Sequence, residues 1–400
     1  MTMIYSPKSD ISVVRFHALD AGRGLALIIG IIYHSFESLI PFKVYNVAQD
    51  TQTSTLLDGL YYVCHIFRMQ LFFFMAGFFA HLLYHRGLYN FITNRIKRLV
   101  LPFVLFWPIN YILVTILWVY NINQISGLPL NEAFTKLPSN FRFVEGFPLM
   151  HLWFLYWLIL YCFCAVLVHP IINWLSSLYQ NIRVAVDQAL ALIISHWWGG
   201  IVLACLTIGP MLKMSGFVGV DTLNSSLRPE WPPFTLYGIY FALGWLLHRQ
   251  PNLLKNLQKY KIINLTLSIL FISILFAFKI CYDPSDETTI KWLPLVMSSF
   301  YAFASMLSVC AFLGYMLTLF SRQNTVMRYI SDSAYWGYLA HYPIVIFFQT
   351  LVAPYDWHWL LKLILILSPT FVILLLTYNL FVRRTWLSLL LNGRIYKSIQ

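Results

Sequence analysis

Long apolar runs, separated by short polar segments, follow one another along the whole chain. Runs of about 18 to 25 apolar residues are long enough to cross a bilayer as an α-helix. They predict ten spans, at residues 22–41, 59–84, 97–120, 150–169, 189–212, 232–248, 262–281, 293–320, 334–353 and 359–382. We therefore expect an all-α fold, a polytopic transmembrane helical bundle that forms a single membrane domain over residues 1–400.

The positions of the positive side chains predict the orientation of this bundle. The N-terminal segment, the even-numbered loops and the C-terminal segment carry 18 Lys and Arg residues, whereas the odd-numbered loops carry 6. Because short loops rich in Lys and Arg stay in the cytoplasm, both termini are predicted to be cytoplasmic. The first run contains His34 and Glu37 and lacks a small-residue cleavage site, so we expect a retained span and no targeting peptide.

Composition narrows the class of protein and its partners. Hydrophobic residues make up 59% of the chain and charged residues 10%, with a mean hydropathy of +0.68, so the lipid bilayer is a predicted partner. The net charge of +12 lies mainly in short loops, which argues against a nucleic-acid partner. The six cysteines lie in or beside apolar runs without a CxxC pair, so neither a disulfide framework nor a metal site is predicted.

Polar residues within the first span are the first candidates for chemistry. Arg23 and His34 are eleven positions apart, so they share a helix face within about 20° and lie roughly 16 Å apart along the axis. Alone, they are also consistent with a snorkelling arginine and a hydrogen-bonded core histidine. Glu37 follows His34 by three residues and can lie beside it. A carboxylate that orients an imidazole suits a general base, so we predict that role for His34.

The second span carries an arginine deep in the apolar region. Arg68 lies roughly 14 Å below the predicted outer surface, where an unpaired guanidinium would cost at least about 2.5–3.5 kcal/mol. We expect Glu37 of the neighbouring span to be its partner. A purely structural ion pair and a polar acceptor pocket beside His34 are both consistent with this placement.

Other polar residues have an ordinary structural explanation as well as a functional one. Arg95 and Arg98 precede the third span, where they serve as a topology signal or hold phosphate groups in bidentate geometry. His151 begins the fourth span and His341 lies in the ninth, close to the predicted depth of His34. Each histidine alone is typical of packing. The imidazoles of His34 and His341, however, lie at one depth in different spans, which indicates a shared site. Lys279 and Lys362 are close enough to helix ends to snorkel.

Several segments also match the motifs of one family, in the same order along the chain. They are Leu19-Asp20-Ala21-Gly22-Arg23-Gly24 followed by His34 in an R-x10-H pattern, Phe72-Phe73-Phe74-Met75-Ala76-Gly77-Phe78, Arg95-x-x-Arg98, and Tyr338-Leu339-Ala340-His341-Tyr342-Pro343. On these residues the chain resembles the acyltransferase-3 family of integral membrane acyltransferases. Ala76 stands where the family commonly has Ser, and Ala340 where an aromatic or polar residue is frequent.

Two further segments are most similar to one type within that family. Phe67-Arg68-Met69-Gln70 and His151-Leu152-Trp153-Phe154-Leu155 resemble the glucan-biosynthesis type, which succinylates osmoregulated periplasmic glucans. The resemblance implies an O-acyltransferase of the bacterial inner membrane. Its donor would be acyl-CoA (succinyl-CoA or acetyl-CoA) from the cytoplasm, with no tightly bound cofactor, and its acceptor a periplasmic or cell-surface glycan.

The resemblance also assigns roles to the candidate residues. Arg23, Arg95 and Arg98 would hold the coenzyme's phosphates or its pantetheine arm, with Arg23 counted in the catalytic set beside His34 and Glu37. The predicted substrate-binding residues are Arg68, His151 and His341. Acetylation of lipopolysaccharide or exopolysaccharide is the alternative within this class. A secondary transporter is the alternative from another class, although the chain lacks paired broken helices in its two halves.

Overall fold

The apolar runs fold into helices. The structure, a computed structural model, describes residues 17–42, 44, 49–178, 180–216, 219–222, 225–281, 291–322 and 324–396, and every regular element within these ranges is helical. This confirms the all-α prediction. Lys8, Arg15, Lys43 and Lys397, which entered the orientation argument, lie outside the described residues.

The helices have the following bounds in chain order. The α-helices are α1 His17–Phe36, α2 Thr55–Tyr84, α3 Leu88–Arg95, α4 Leu101–Ser126, α5 Leu130–Thr135, α6 Trp153–Leu178, α7 Gln180–Ile194, α8 Gly199–Met211, α9 Trp231–Arg249, α10 Leu254–Lys259, α11 Lys261–Cys281, α12 Leu293–Leu319, α13 Thr325–Val352, α14 Trp359–Thr377 and α15 Trp386–Asn392. A π-helical turn, Ile96–Val100, joins α3 to α4, and a second, Tyr378–Val382, continues α14.

Six described helical segments are long and apolar enough to cross a membrane. They are Thr55–Tyr84, Leu88–Ser126, Met150–Leu175, Lys261–Cys281, Leu293–Leu319 and Trp359–Val382, and the bent pair α7–α8 would make a seventh. Helices α1, α9 and α13 cover three more of the predicted spans but are less apolar. The chain is therefore a helical membrane protein, while the count of ten spans and the cytoplasmic termini stay predictions.

The fifth predicted span, 189–212, is wrong as one straight helix. It is divided between α7 and α8, whose axes differ by 118° across a short break. Gly199 begins α8 so close to the end of α7 that a Cβ atom there would lie 2.1 Å from the Ile193 carbonyl oxygen. The bend therefore depends on a glycine at a close backbone approach, which apolar periodicity does not reveal.

Contacts between helices define the two ends of the bundle. Helix α1 runs beside α13 in the same direction, since Gly24 packs on Ser331 and Gly337 lies near Ile31. The C-terminal segment returns to the start of α13, where Arg394 binds Asp332 at 2.8 Å. We call this end, where α1 begins, the inner end, and the opposite end the outer end.

Helices α2 and α9 pack with their backbones in close approach. A Cβ atom on Gly77 would lie 1.9 Å from the Phe241 carbonyl oxygen, and one on Gly244 would lie 1.9 Å from the Phe74 carbonyl oxygen. Small residues that let two backbones meet are a recurring device of membrane bundles. Both helices run from the outer to the inner end, where His81 meets His248.

Lys362 is buried, so the prediction that it snorkels is wrong. Its ammonium group lies 2.6 Å from the Asp50 carboxylate, and the two side chains are 0% and 1% exposed. The backbone N–H of Asp50 donates to the Ser38 carbonyl oxygen at 3.0 Å, next to Glu37. The buried ion pair thus ties the segment after α1 to α14.

Candidate functional site

The end of helix α1 holds His34 and Glu37 together. Glu37 follows the last helical residue, and its Oε1 accepts a hydrogen bond of 2.8 Å from His34 Nδ1. A proton on Nδ1 leaves Nε2 free to accept another. Helix α13 fixes this end of α1, because Gln349 Nε2 donates to the His34 carbonyl oxygen at 2.8 Å. Glu37 therefore orients the imidazole, while Gln349 holds the backbone that carries it.

Three predicted histidines meet around this point. The His34 ring centroid lies 5.3 Å from that of His341, which in turn lies 5.1 Å from that of His151. Tyr342 packs between them, with its ring 5.2 Å from His34 and 5.0 Å from His151. The first, fourth and ninth predicted spans thus contribute to one cluster, although each histidine alone was typical of a packing residue.

His341 presents one unpaired nitrogen to this cluster. Its Nδ1–H is shared between the Gly337 and Tyr338 carbonyl oxygens, at 3.0 and 2.9 Å. The opposite nitrogen, Nε2, is buried and has no hydrogen-bond partner among the described residues. A buried acceptor of this kind is costly unless it receives a proton donor. A hydroxyl group of a bound molecule is one such donor.

Arg68 is buried beside the same cluster, but its expected ion pair with Glu37 is wrong. Its Nη1 donates to the Gly30 carbonyl oxygen at 3.3 Å, and its guanidinium carbon lies 3.8 Å from the centre of the Tyr33 ring. No carboxylate lies within ion-pair distance of it in the described part of the chain. Its charge is stabilised by a carbonyl dipole and an aromatic face, because Glu37 is bound to His34.

A cavity of about 760 Å³ opens around these residues, and we call it the histidine cavity. His34, Glu37, Arg68, His151 and His341 all line it. The structure therefore brings His34 and Glu37, two of the three predicted catalytic residues, together with all three predicted substrate-binding residues. Ser139, Asn140, Glu145 and Ser225 line it at the outer end, so its mouth is polar.

A second cavity, of about 490 Å³, lies at the inner end, and we call it the basic cavity. Its charged lining consists of five arginines and two aspartates, namely Arg23, Arg86, Arg95, Arg98, Arg394, Asp20 and Asp332. The net charge of this lining is plus three. All three arginines predicted to hold phosphate groups are among these residues, so the structure also brings that set together.

The backbone around Arg98 is specialised for this position. Arg98 lies in the π-helical turn Ile96–Val100, and its carbonyl oxygen accepts a hydrogen bond from the Tyr335 hydroxyl. A Cβ atom on Gly393, whose φ is +70°, would lie 2.0 Å from Arg98 Nη2. The left-handed backbone at position 393 favours glycine, and a larger residue there would displace the end of the Arg98 side chain.

The two cavities meet end to end. Leu27, Phe72, Phe154 and Tyr338 line both of them, and we call these four residues the constriction. Arg23 lies on one side of it and His34 on the other, roughly 16 Å apart along α1. The R-x10-H spacing therefore places one polar residue in each cavity.

Some site residues were missed by sequence reasoning. Arg86 and Arg394 were counted only toward topology, and Arg394 reaches the basic cavity through Asp332, 62 positions earlier. Next to it, burial raises the pKa of Tyr396 to about 12, and Asp332 acts in the same direction. This phenol stays neutral near pH 7 and does not reduce the positive charge. Tyr342 was missed too. It follows His341 directly in the Tyr338-to-Pro343 motif, and that motif was the one sequence signal that could have indicated it.

Comparisons with known proteins agree with this arrangement. A family model described as "Acyltransferase domain" matches residues 16–379. "Glucans biosynthesis protein C" of Salmonella schwarzengrund (strain CVM19633) is 24% identical over 403 residues, which cover 96% of this chain and 97% of the relative. Proteins of the same name from Salmonella typhi and Salmonella typhimurium are also 24% identical with the same coverage. No solved structure matches the chain.

Proposed function

The chain belongs to the acyltransferase-3 family, and from this premise we propose that it moves a succinyl or acetyl group from cytoplasmic acyl-CoA to a hydroxyl group of a periplasmic or cell-surface glycan. The name of its relatives favours a glucan as the acceptor. The observation that carries the proposal is the pair of cavities, one lined by arginines and one by the histidine–carboxylate pair, that meet at the constriction.

His34 is the general base of this proposal. With Nδ1–H bound to Glu37, its Nε2 accepts the proton of the sugar hydroxyl as the oxygen attacks the thioester carbonyl carbon. The carbon–sulfur bond of the resulting tetrahedral intermediate then breaks, and the departing thiolate takes the proton from His34. Glu37 stabilises the imidazolium that exists between these two proton transfers.

The arginines of the basic cavity are the proposed phosphate site of the donor. Coenzyme A carries several phosphate groups, and a guanidinium binds phosphate through two parallel N–H bonds. Phosphates held near Arg23, Arg95 and Arg98 would leave the thioester end pointing through the constriction toward His34. The donor thus stays at the inner end while its acyl group reaches the histidine cavity.

The histidine cavity is the proposed acceptor site. His341 Nε2 would accept a hydrogen bond from a sugar hydroxyl, Arg68 offers N–H donors, and the His151 ring lies 5.1 Å from that of His341. A sugar placed here would satisfy buried polar groups and gain specificity from them.

Acyl transfer in proteoliposomes tests the base directly. With labelled succinyl-CoA or acetyl-CoA and a glucan acceptor, His34→Ala should lower the rate by about 10²–10⁴-fold without loss of membrane insertion. His196→Ala, at an exposed histidine that lines neither cavity, is the matched control and should retain the wild-type rate. Wild-type transfer by His34→Ala would rule out the proposed mechanism.

The identity of the acyl group and of the acceptor needs a separate measurement. Mass spectrometry of cell-envelope glycans, with and without the protein, distinguishes a gain of succinyl from a gain of acetyl and locates it on glucan, lipopolysaccharide or exopolysaccharide. Succinyl groups on a glucan are the expected result. Acetyl groups on lipopolysaccharide would contradict the glucan acceptor and support the alternative, acetylation of lipopolysaccharide or exopolysaccharide.

A further inference from the structure

A third cavity, of about 980 Å³, lies beside α2, α6, α7 and α9, and we call it the lateral groove. It shares no lining residue with the histidine cavity or the basic cavity. Most of its wall is apolar, with large exposed side chains at Val168, Ile172, Ile182 and Val186. Neither the proposed donor site nor the proposed acceptor site uses this groove.

The inner end of the groove is polar and basic. His81, His85, His169, Arg183 and Arg249 line it, and no acidic residue is among its described lining. Arg249 is bound to Asp187 at 2.6 Å, whereas no acidic side chain lies within ion-pair distance of exposed Arg183 in the described ranges. The Arg183 guanidinium at the inner end of the groove is therefore available to bind an anion.

A metal ion is not the ligand that these side chains indicate. His81 Nδ1 and His248 Nδ1 lie 2.7 Å apart, and the His81 and His85 ring centroids 4.5 Å apart. Even so, no three His, Cys, Asp or Glu side chains within the described residues are arranged to hold a metal. The groove instead combines a basic rim at the helix ends with a long apolar wall.

This combination fits one class of molecule. A phospholipid has an anionic headgroup that belongs at the helix ends and acyl chains that belong along an apolar wall. Basic pockets between transmembrane helices on the cytoplasmic side bind anionic headgroups in other membrane proteins. Trp245 and Tyr84 also line the groove, and such aromatic side chains are typical of the headgroup level. We propose that the lateral groove binds an anionic phospholipid, with the headgroup phosphate on Arg183 and His85.

The charge of the headgroup is the first part of the test. The full-length protein, stripped of lipid in detergent, is incubated with phosphatidylglycerol or with phosphatidylcholine of identical chains, and bound lipid is counted by native mass spectrometry. Wild type should retain phosphatidylglycerol in preference. Arg183→Gln should weaken that binding about fivefold, the effect of one basic residue near a lipid surface, while Arg384→Gln, another exposed arginine at the inner end, should leave it unchanged.

The apolar wall is the second part. Ala242 is exposed and lines the groove, so Ala242→Trp places a large ring in it without disturbing the core. This variant should bind both lipids more weakly than wild type, while its unfolding temperature stays at the wild-type value. Equal binding of the two lipids by wild type, or equal binding by Arg183→Gln and Arg384→Gln, would overturn the proposal. Displacement of the lipid by inorganic phosphate alone would overturn it too, since it would show a site for free anions. The readout needs no acyl transfer, so it is independent of the proposed function.

Discussion

At the scale of single residues, the hydrogen bond between His34 and Glu37 joins the two side chains that we propose as the catalytic pair. Because residues that act as a unit are not additive, Glu37→Ala should lower acyl transfer less than His34→Ala does. The double variant should then lose no more than His34→Ala alone. The three rates are measured in the proteoliposome assay, and losses that multiply in the double variant would show that Glu37 acts independently of His34.

The buried pair of Lys362 and Asp50 predicts a large effect on stability. Lys362→Met leaves a buried carboxylate without its partner, which should cost about 3–5 kcal/mol in the free energy of unfolding. The double variant Lys362→Met/Asp50→Leu removes both charges and should recover most of this loss. Unfolding in detergent, followed by circular dichroism, measures both.

A more exposed pair provides the control for this prediction. Lys279 lies 2.8 Å from Asp58, with side chains 32% and 18% exposed. Lys279→Met should change the free energy of unfolding by less than about 1 kcal/mol, as for other accessible ion pairs. Equal effects of the two lysine variants would contradict the assignment of Lys362 to a buried, desolvated pair.

Sequence reasoning at this scale named residues that line the two cavities but not all of their partners. His34 and Glu37 are three positions apart, so helix geometry alone predicts their contact. Lys362 and Asp50 are 312 positions apart, and no local pattern indicates which distant carboxylate binds a lysine. The predicted ion pair between Arg68 and Glu37 failed for a related reason. The actual partners of Arg68 are a carbonyl oxygen and an aromatic ring, and neither is a charged residue that can be found in the sequence.

At the scale of helices, the contact between α2 and α9 depends on two glycines. Gly77→Ala and Gly244→Ala would each place a methyl group within 2 Å of a carbonyl oxygen, so the helices must separate. Each substitution should destabilise the protein by about 1–3 kcal/mol, the usual cost of an overpacked core. Gly209→Ala, with nothing within 4 Å of the added atom, should be neutral or slightly stabilising. Equal unfolding temperatures for all three variants would contradict this packing.

Apolar patterning predicted where most helices lie, because a bilayer requires long apolar segments whatever their neighbours are. The predicted span 262–281 is α11 to within one residue at its start. The pattern failed at α7 and α8, where a turn at residues 195–198 divides an apolar run. The apolar pattern also did not predict the π-helical turn at Arg98, because an extra residue in a helical turn leaves the apolar content of the segment unchanged.

At the scale of the whole molecule, the constriction lies between the proposed donor site and the proposed site of acyl transfer. Leu27→Trp would narrow it while leaving every arginine that lines the basic cavity in the sequence. Acyl-CoA affinity, measured by calorimetry, should stay within about threefold of wild type, because large affinity changes require altered phosphate contacts. The transfer rate should fall toward that of His34→Ala.

A lipid-facing position supplies the control for this prediction. Leu113 on α4 is 44% exposed and lines neither cavity, so Leu113→Trp should leave both affinity and rate unchanged. Rapid transfer by Leu27→Trp would show that the acyl group takes another route. Loss of affinity together with rate would place the donor deeper than the basic cavity.

The constriction has a second consequence, which concerns ions and not acyl groups. Two polar cavities that open at opposite ends of a membrane protein would, if joined by water, form a pore that dissipates ion gradients. Leu27, Phe72 and Phe154 present apolar side chains where the cavities meet, and narrow apolar passages exclude water and thereby ions. These residues are thus a barrier to protons and metal cations. In the proposed function, an apolar lining at this point would let the protein export an acyl group while the membrane stays sealed to protons and metal cations.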